Sequence, residues 1–122
     1  KAFPILALYT VRDDEEAIER CLELLNLGGR GHTCSIHSND EQVIERFGLA
    51  MPVSRLIVNS PASLGAAGGT TGLMPSLTLG CGSYGGNISS DNITARHLIN
   101  IKRIAYGIKE IAIPDPTKTG SV

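Results

Sequence analysis

The chain has no tryptophan, and of its 122 residues only two are phenylalanine and three tyrosine. It has no excess of either charge: eleven Lys and Arg face twelve Asp and Glu, for a net charge of −1. That balance lacks the basic footprint of a nucleic-acid binder. No apolar run approaches the roughly 20 residues of a membrane span, and no signal peptide is visible. The three cysteines stand thirteen and forty-seven residues apart, which makes neither a disulfide framework nor a metal motif. Histidines and carboxylates show no ligand spacing, and there is no Walker-type loop. The expected compartment is the reducing cytoplasm.

What is present suits one domain that buries roughly two-thirds of its unfolded surface. The chain starts at Lys1 without methionine, and Pro4 to Thr10 already reads as a strand. The expectation is a domain cut, naturally or by trimming, from something longer. Ile5 to Val11 is an almost unbroken apolar run, which fits a strand buried on both faces. Asp13 and Glu16 have capping-box spacing. Ala17, Ile18, Cys21, Leu22, Leu24 and Leu25 make one helical face, and Gly28 and Gly29 end it. Thr33 to Ser38 alternates like a strand. Ser38 and Glu41 read as a second capping box, before a helix bearing Val43, Ile44 and Phe47, with Gly48 and Pro52 at its end. Arg55 to Asn59 is a third strand. The order β-α-β-α-β predicts an α/β fold, three-layered, with a mostly parallel sheet.

A loop from Ser60 to Gly72 then leads to a short strand near Ser76 to Leu79. The turn after it holds four glycines in seven residues: Gly80, Gly82, Gly85 and Gly86. Such turns let a backbone approach a ligand or another backbone, so the loop reads as the rim of a site or as plain surface connection. Leu98 to Tyr106 could be helical by propensity; its isoleucine-rich alternation favours a strand, of the amphipathic kind found at sheet edges. Residues 109–122 have the composition of a flexible tail.

Cys81 is either a nucleophile served by loop N–H groups or a small side chain packed inward. Cys21 and Cys34 read as core. His32, at a strand entrance, is either an acid–base group or a histidine bonding a backbone carbonyl. His37 and His97 read as surface residues. Gly80-x-Gly82-x-x-Gly85 matches a dinucleotide fingerprint in letters only, because it leads into a polar turn and not a helix.

Four motifs now stand in order: Gly28-Gly-Arg-Gly-His-Thr33, Asn59-Ser-Pro-Ala-Ser63, Pro75-Ser-Leu-Thr-Leu-Gly-Cys-Gly-Ser-Tyr-Gly-Gly-Asn87 and His97-Leu-Ile-Asn-Ile-Lys102. Together, over roughly residues 1 to 106, they resemble the CoA-acylating aldehyde dehydrogenases, including the aldehyde dehydrogenase half of bifunctional aldehyde–alcohol dehydrogenases and the acetaldehyde and sulfoacetaldehyde enzymes. The resemblance implies an α/β/α catalytic-domain fragment over residues 1–108, the C-terminal portion of such a domain. It implies conversion of aldehyde, CoA and NAD(P)⁺ to acyl-CoA and NAD(P)H, through a thioester on a cysteine upstream of this chain. NAD or NADP and coenzyme A would be held mainly by that missing part, so residues 1–122 alone are expected to be inactive. It makes His32 the catalytic candidate and demotes Cys81. It makes Ser60, Pro61, Ser83 and Tyr84 substrate-pocket candidates, and Leu98 to Ala105 a strand that joins another subunit of a homo-oligomer. The competing readings are a non-catalytic α/β self-association module and a standalone CoA- or nucleotide-binding domain.

Overall fold

The computed structural model describes residues 5–111. In order they form α1 (Asp14–Leu27), β1 (Gly31–Ile36), α2 (Glu41–Ala50), β2 (Val53–Val58) and α3 (Ala62–Ala66), with 3-10 turns at Ser83–Gly85 and Ala95–Leu98. Asp13 caps α1 by accepting from the Glu16 N–H at 2.9 Å. The return half of the expected capping box is displaced by one residue. Glu16 Oε2 accepts from Arg12, backbone N–H at 2.8 Å and Nε at 2.9 Å, and not from Asp13. Gly29 takes a φ of 98° at the exit of α1, where a side chain would be strained.

The cap of α2 is Asp40, whose carboxylate accepts from the N–H of Gln42 and Val43. Ser38 stands two residues further out and accepts from Asp40 N–H instead, so the predicted Ser38 cap is corrected. A carboxylate next to the first turn gains both the charge-assisted bonds and the dipole. Gly48 lies inside α2, not at its end, because a Cβ there would come within 3.2 Å of Leu56 on the sheet.

β1 and β2 pair in parallel, with Cys34 opposite Leu56 and Ile36 opposite Val58. Cys34, Ile36, Leu56 and Val53 pack against Leu25 of α1, Phe47 of α2 and Met51 just beyond it. Alternate residues point the other way. There Ile57 meets α3 at Gly65, where a Cβ would sit 2.5 Å from the isoleucine methyl. The result is the expected α/β/α layering: α1 and α2, then the sheet, then α3.

Three expected strands are not formed. Residues 5–11 carry no strand, and Ile5 to Thr10 are exposed; Pro4 lies outside the described residues. Ser76 to Leu79 contributes a single antiparallel bridge, Leu79 to Asn92. At Leu98 to Tyr106 the first residue closes a 3-10 turn, and residues 99–111 have neither helix nor strand. The cause is common to all three. A strand exists only through a partner's ladder, and among the described residues β1 and β2 pair only with each other. The Ser60–Gly72 loop is not wholly irregular, since it contains α3. Of the predicted tail, only residues 109–111 are described, exposed and without regular structure; the remainder lies outside the described residues.

Candidate functional site

His32 sits at the amino end of β1 with its side chain exposed. Its Nδ1 is 2.8 Å from Thr33 Oγ1, and Nε2 has no partner among the described residues. The ring borders a cleft of about 420 Å³ with Ala62, Ser63, Ala66 and Leu77. The amino end is not where helix N-termini gather; ligands of open α/β sheets usually bind at the carboxyl ends of the strands.

Ser83 and Tyr84 form the 3-10 turn of the glycine loop. They line a separate cleft of about 440 Å³ with Val53, Ser54 and Asn87. This loop packs on β1 right beside His32: a Cβ at Gly31 would lie 2.5 Å from Gly85 N. Ser60 and Pro61 are elsewhere, beyond the carboxyl end of β2. Ser60 is buried and shares a hydrogen bond with the Thr70 hydroxyl, and Pro61 stands exposed at the start of α3. Ser60 follows the far end of β2, yet α3 runs back along the sheet, so Ala62 and Ser63, just after Pro61, line the His32 cleft, while Ser83 and Tyr84 line the other one. At that far end Asn59, at a φ of 52°, clamps the β1–α2 connection through Ser38 N–H and Ser38 C=O at 3.0 and 2.8 Å.

The glycine loop has a different reason for its glycines than a ligand's approach. Cβ atoms at Gly31, Gly80 and Gly85 would collide with this chain's own backbone or with Cys81. The N–H groups are also spent internally. Gly80 donates to Asp91 C=O at 2.9 Å, Gly82 to Ser89 C=O at 2.9 Å, Gly85 to Gly82 C=O at 3.1 Å and Gly86 to Ser83 C=O at 3.1 Å. No such donor remains at these glycines for a phosphate or an oxyanion. Cys81 is half-buried, and among the described residues no imidazole or carboxylate is hydrogen-bonded to it. These four glycines therefore offer no N–H cradle for a phosphate, and no cluster of His, Cys, Asp and Glu among the described residues could hold a metal ion.

Cys21 and Cys34 flank the aliphatic core, and burial raises the pKa of both thiols above the ordinary value. His37 is exposed. His97 receives the Thr94 N–H on Nδ1 at 3.0 Å and faces Asp91 across 3.3 Å. Two residues that sequence reasoning did not single out, Arg55 and Asn92, are buried between the loops at 5% and 8% exposure. The available signal was an arginine in the middle of an apolar strand.

No protein-family model matches the chain. Aldehyde-alcohol dehydrogenase 2 of Entamoeba histolytica is 42% identical over 106 residues, 86% of this chain and 12% of that protein. The acetylating succinate-semialdehyde dehydrogenase of Clostridium kluyveri is 41% identical over 114 residues, 93% of this chain and 25% of the relative. The crystal structure of an acetylating aldehyde dehydrogenase from Geobacillus thermoglucosidasius superposes with a TM-score of 0.84 at 50% identity, over 90% of this chain and 24% of that one. The chain thus spans a quarter or less of the length of these relatives. In sequence and in fold the chain is a homologue of one segment of acetylating aldehyde dehydrogenases.

Proposed function

We propose that residues 1–108 serve as the C-terminal part of the catalytic domain of an NAD(P)-dependent, CoA-acylating aldehyde dehydrogenase, with 109–122 as a tail. The supporting observation is 41% identity to an acetylating dehydrogenase across 93% of the chain. The whole protein would convert aldehyde and CoA to acyl-CoA while reducing NAD(P)⁺, with the reactive cysteine and the dinucleotide site supplied by residues outside this chain. His32 would act as an acid–base group at Nε2, its Nδ1 being engaged by Thr33. Ser83 and Tyr84 would form a wall of the aldehyde pocket, and Ser60 and Pro61 would meet substrate only where the rest of the protein completes the carboxyl end of the sheet. The reading places the enzyme in the cytoplasm, in keeping with three unpaired thiols.

NADH absorbance with aldehyde, NAD⁺ and CoA tests the reading. The natural full-length protein should turn over in a CoA-dependent way, and residues 1–122 alone should not. Steady turnover by residues 1–122 would return the nucleophile to Cys81 and sink the proposal.

A second reading is favoured by one observation: Leu98, Ile99, Ile101 and Ile104 are all exposed, in a segment that pairs with no strand among the described residues. On this reading Leu98 to Ala105 completes a strand on another copy's sheet edge, within the enzyme or as a non-catalytic self-association module. Light scattering on wild type and Ile101→Lys decides it: an oligomer that the lysine dissociates supports it, and two monomers remove it.

A further inference from the structure

β2 carries an arginine where a parallel strand would ordinarily place an aliphatic side chain. Arg55 is 5% exposed, yet no carboxylate is paired with it among the described residues. Burying an uncompensated cation is costly unless its donors are fully met, and here each is met. Nε donates to Asn92 Oδ1 at 2.8 Å. One terminal nitrogen donates to Gly80 C=O at 2.9 Å, with a longer 3.5 Å contact to His32 C=O. The other donates to Ser90 and Asp91 C=O at 2.8 and 3.0 Å. Guanidinium is the side chain with five N–H donors in a rigid planar fork. Asn92 carries the network onward, its Nδ2 donating to Ala66 C=O at 2.8 Å and Met74 C=O at 2.7 Å.

The pair thus reaches the start of the glycine loop, the 90–91 turn, the end of α3, the Met74 loop and the amino end of β1. Three of these, the glycine loop, the 90–91 turn and the Met74 loop, are irregular segments without a ladder of their own beyond the bridge at Leu79 and Asn92. We propose that Arg55 and Asn92 are positioning residues that hold the loop bearing Ser83 and Tyr84 against β1 at His32. Their effect on an aldehyde pocket rests on the function proposed above; the fixing of the loop does not.

Hydrogen exchange on the natural full-length protein tests the fixing. Arg55→Met should speed exchange of the Gly80, Gly82 and Ile93 amides at least about tenfold, while the Ile44 and Met51 amides at the two ends of α2 stay within about twofold. Arg55→Lys, with fewer donors and no fork, should fall between. Asn92→Asp should loosen the Ala66 and Met74 side while leaving the Gly80 side closer to wild type. Kinetics test the positioning: Arg55→Lys should raise the aldehyde KM about tenfold with kcat within about threefold. Equal acceleration throughout, α2 included, or an unchanged loop, overturns the proposal; if Arg55→Met does not fold, the other two variants decide it by the same comparison. An unchanged KM with a loosened loop overturns the positioning role. A wild-type protein without CoA-dependent turnover overturns the functional reading alone, and exchange still decides the loop.

Discussion

Gly31 and Gly28 are three residues apart and obey different constraints. At Gly31, φ is +82° and a Cβ would strike Cys81 and Gly85 backbone. Gly31→Ala should therefore cost about 2–4 kcal/mol, read as a lower denaturant midpoint. Gly28 has extended backbone and open space around its Cβ position. Gly28→Ala should stay within about 0.5 kcal/mol of wild type. Glycine content was plain in the sequence, but these glycines differ only through what packs on them. The thiols of Cys21 and Cys34 make a second residue-scale prediction. Burial raises both pKa values, so alkylation at mildly alkaline pH should be slower in the folded chain than in urea; equal rates would contradict the burial.

At the scale of elements, the helices were legible because their signals are local. The Asp13 cap, the apolar face through Leu25 and the glycines that stop α1 all follow from spacing within a few turns. Asp40→Ala should cost about 1 kcal/mol through the lost cap, and Ser38→Ala clearly less; urea midpoints check the order. Glu16 gives α1 a pH dependence. Arg12, through its backbone N–H and then its guanidinium, holds the Glu16 carboxyl below its ordinary value. A lowered folded pKa means the contribution is present above the unfolded value and is lost as pH falls through the folded one. Helical circular dichroism of wild type and Glu16→Gln should differ near neutrality and converge in acid. The three missing strands failed for a non-local reason. Ile5 to Val11 and Leu98 to Tyr106 have strand composition, but composition does not provide a partner edge.

The described residues form an α/β/α unit that leaves much apolar surface open. Ile5, Leu6, Leu8, Leu98 and Ile104 are each at least 80% exposed, more large apolar side chain than a soluble surface normally leaves open. The chain covers a quarter or less of the relatives that match it. If the rest of such a protein covers these segments, limited trypsin digestion should show it. Residues 1–122 alone should be cut first at Lys102, Arg103 and Lys109, which lie in the exposed irregular segment, before Arg46 in α2 or the buried Arg55. In the natural full-length protein Lys102 and Arg103 should resist. Equal cleavage in both would mean that nothing covers this segment.

Sequence alone established the parallel α/β arrangement, the two longer helices and the likeness to acylating aldehyde dehydrogenases, because periodicity, caps and ordered motifs are written within short stretches. The site was legible only as a set of names: His32, Ser60, Pro61, Ser83 and Tyr84. Tertiary structure alone decided that the glycine loop packs on Gly31 beside His32, and that the His32 ring shares a cleft with the start of α3 while Ser83 and Tyr84 line another. It also decided that the loop's glycines serve its own backbone, and that Arg55 reaches across 37 positions of sequence to Asn92. Those outcomes depend on which distant carbonyls and edges come within a few ångströms, and no local pattern encodes such distances.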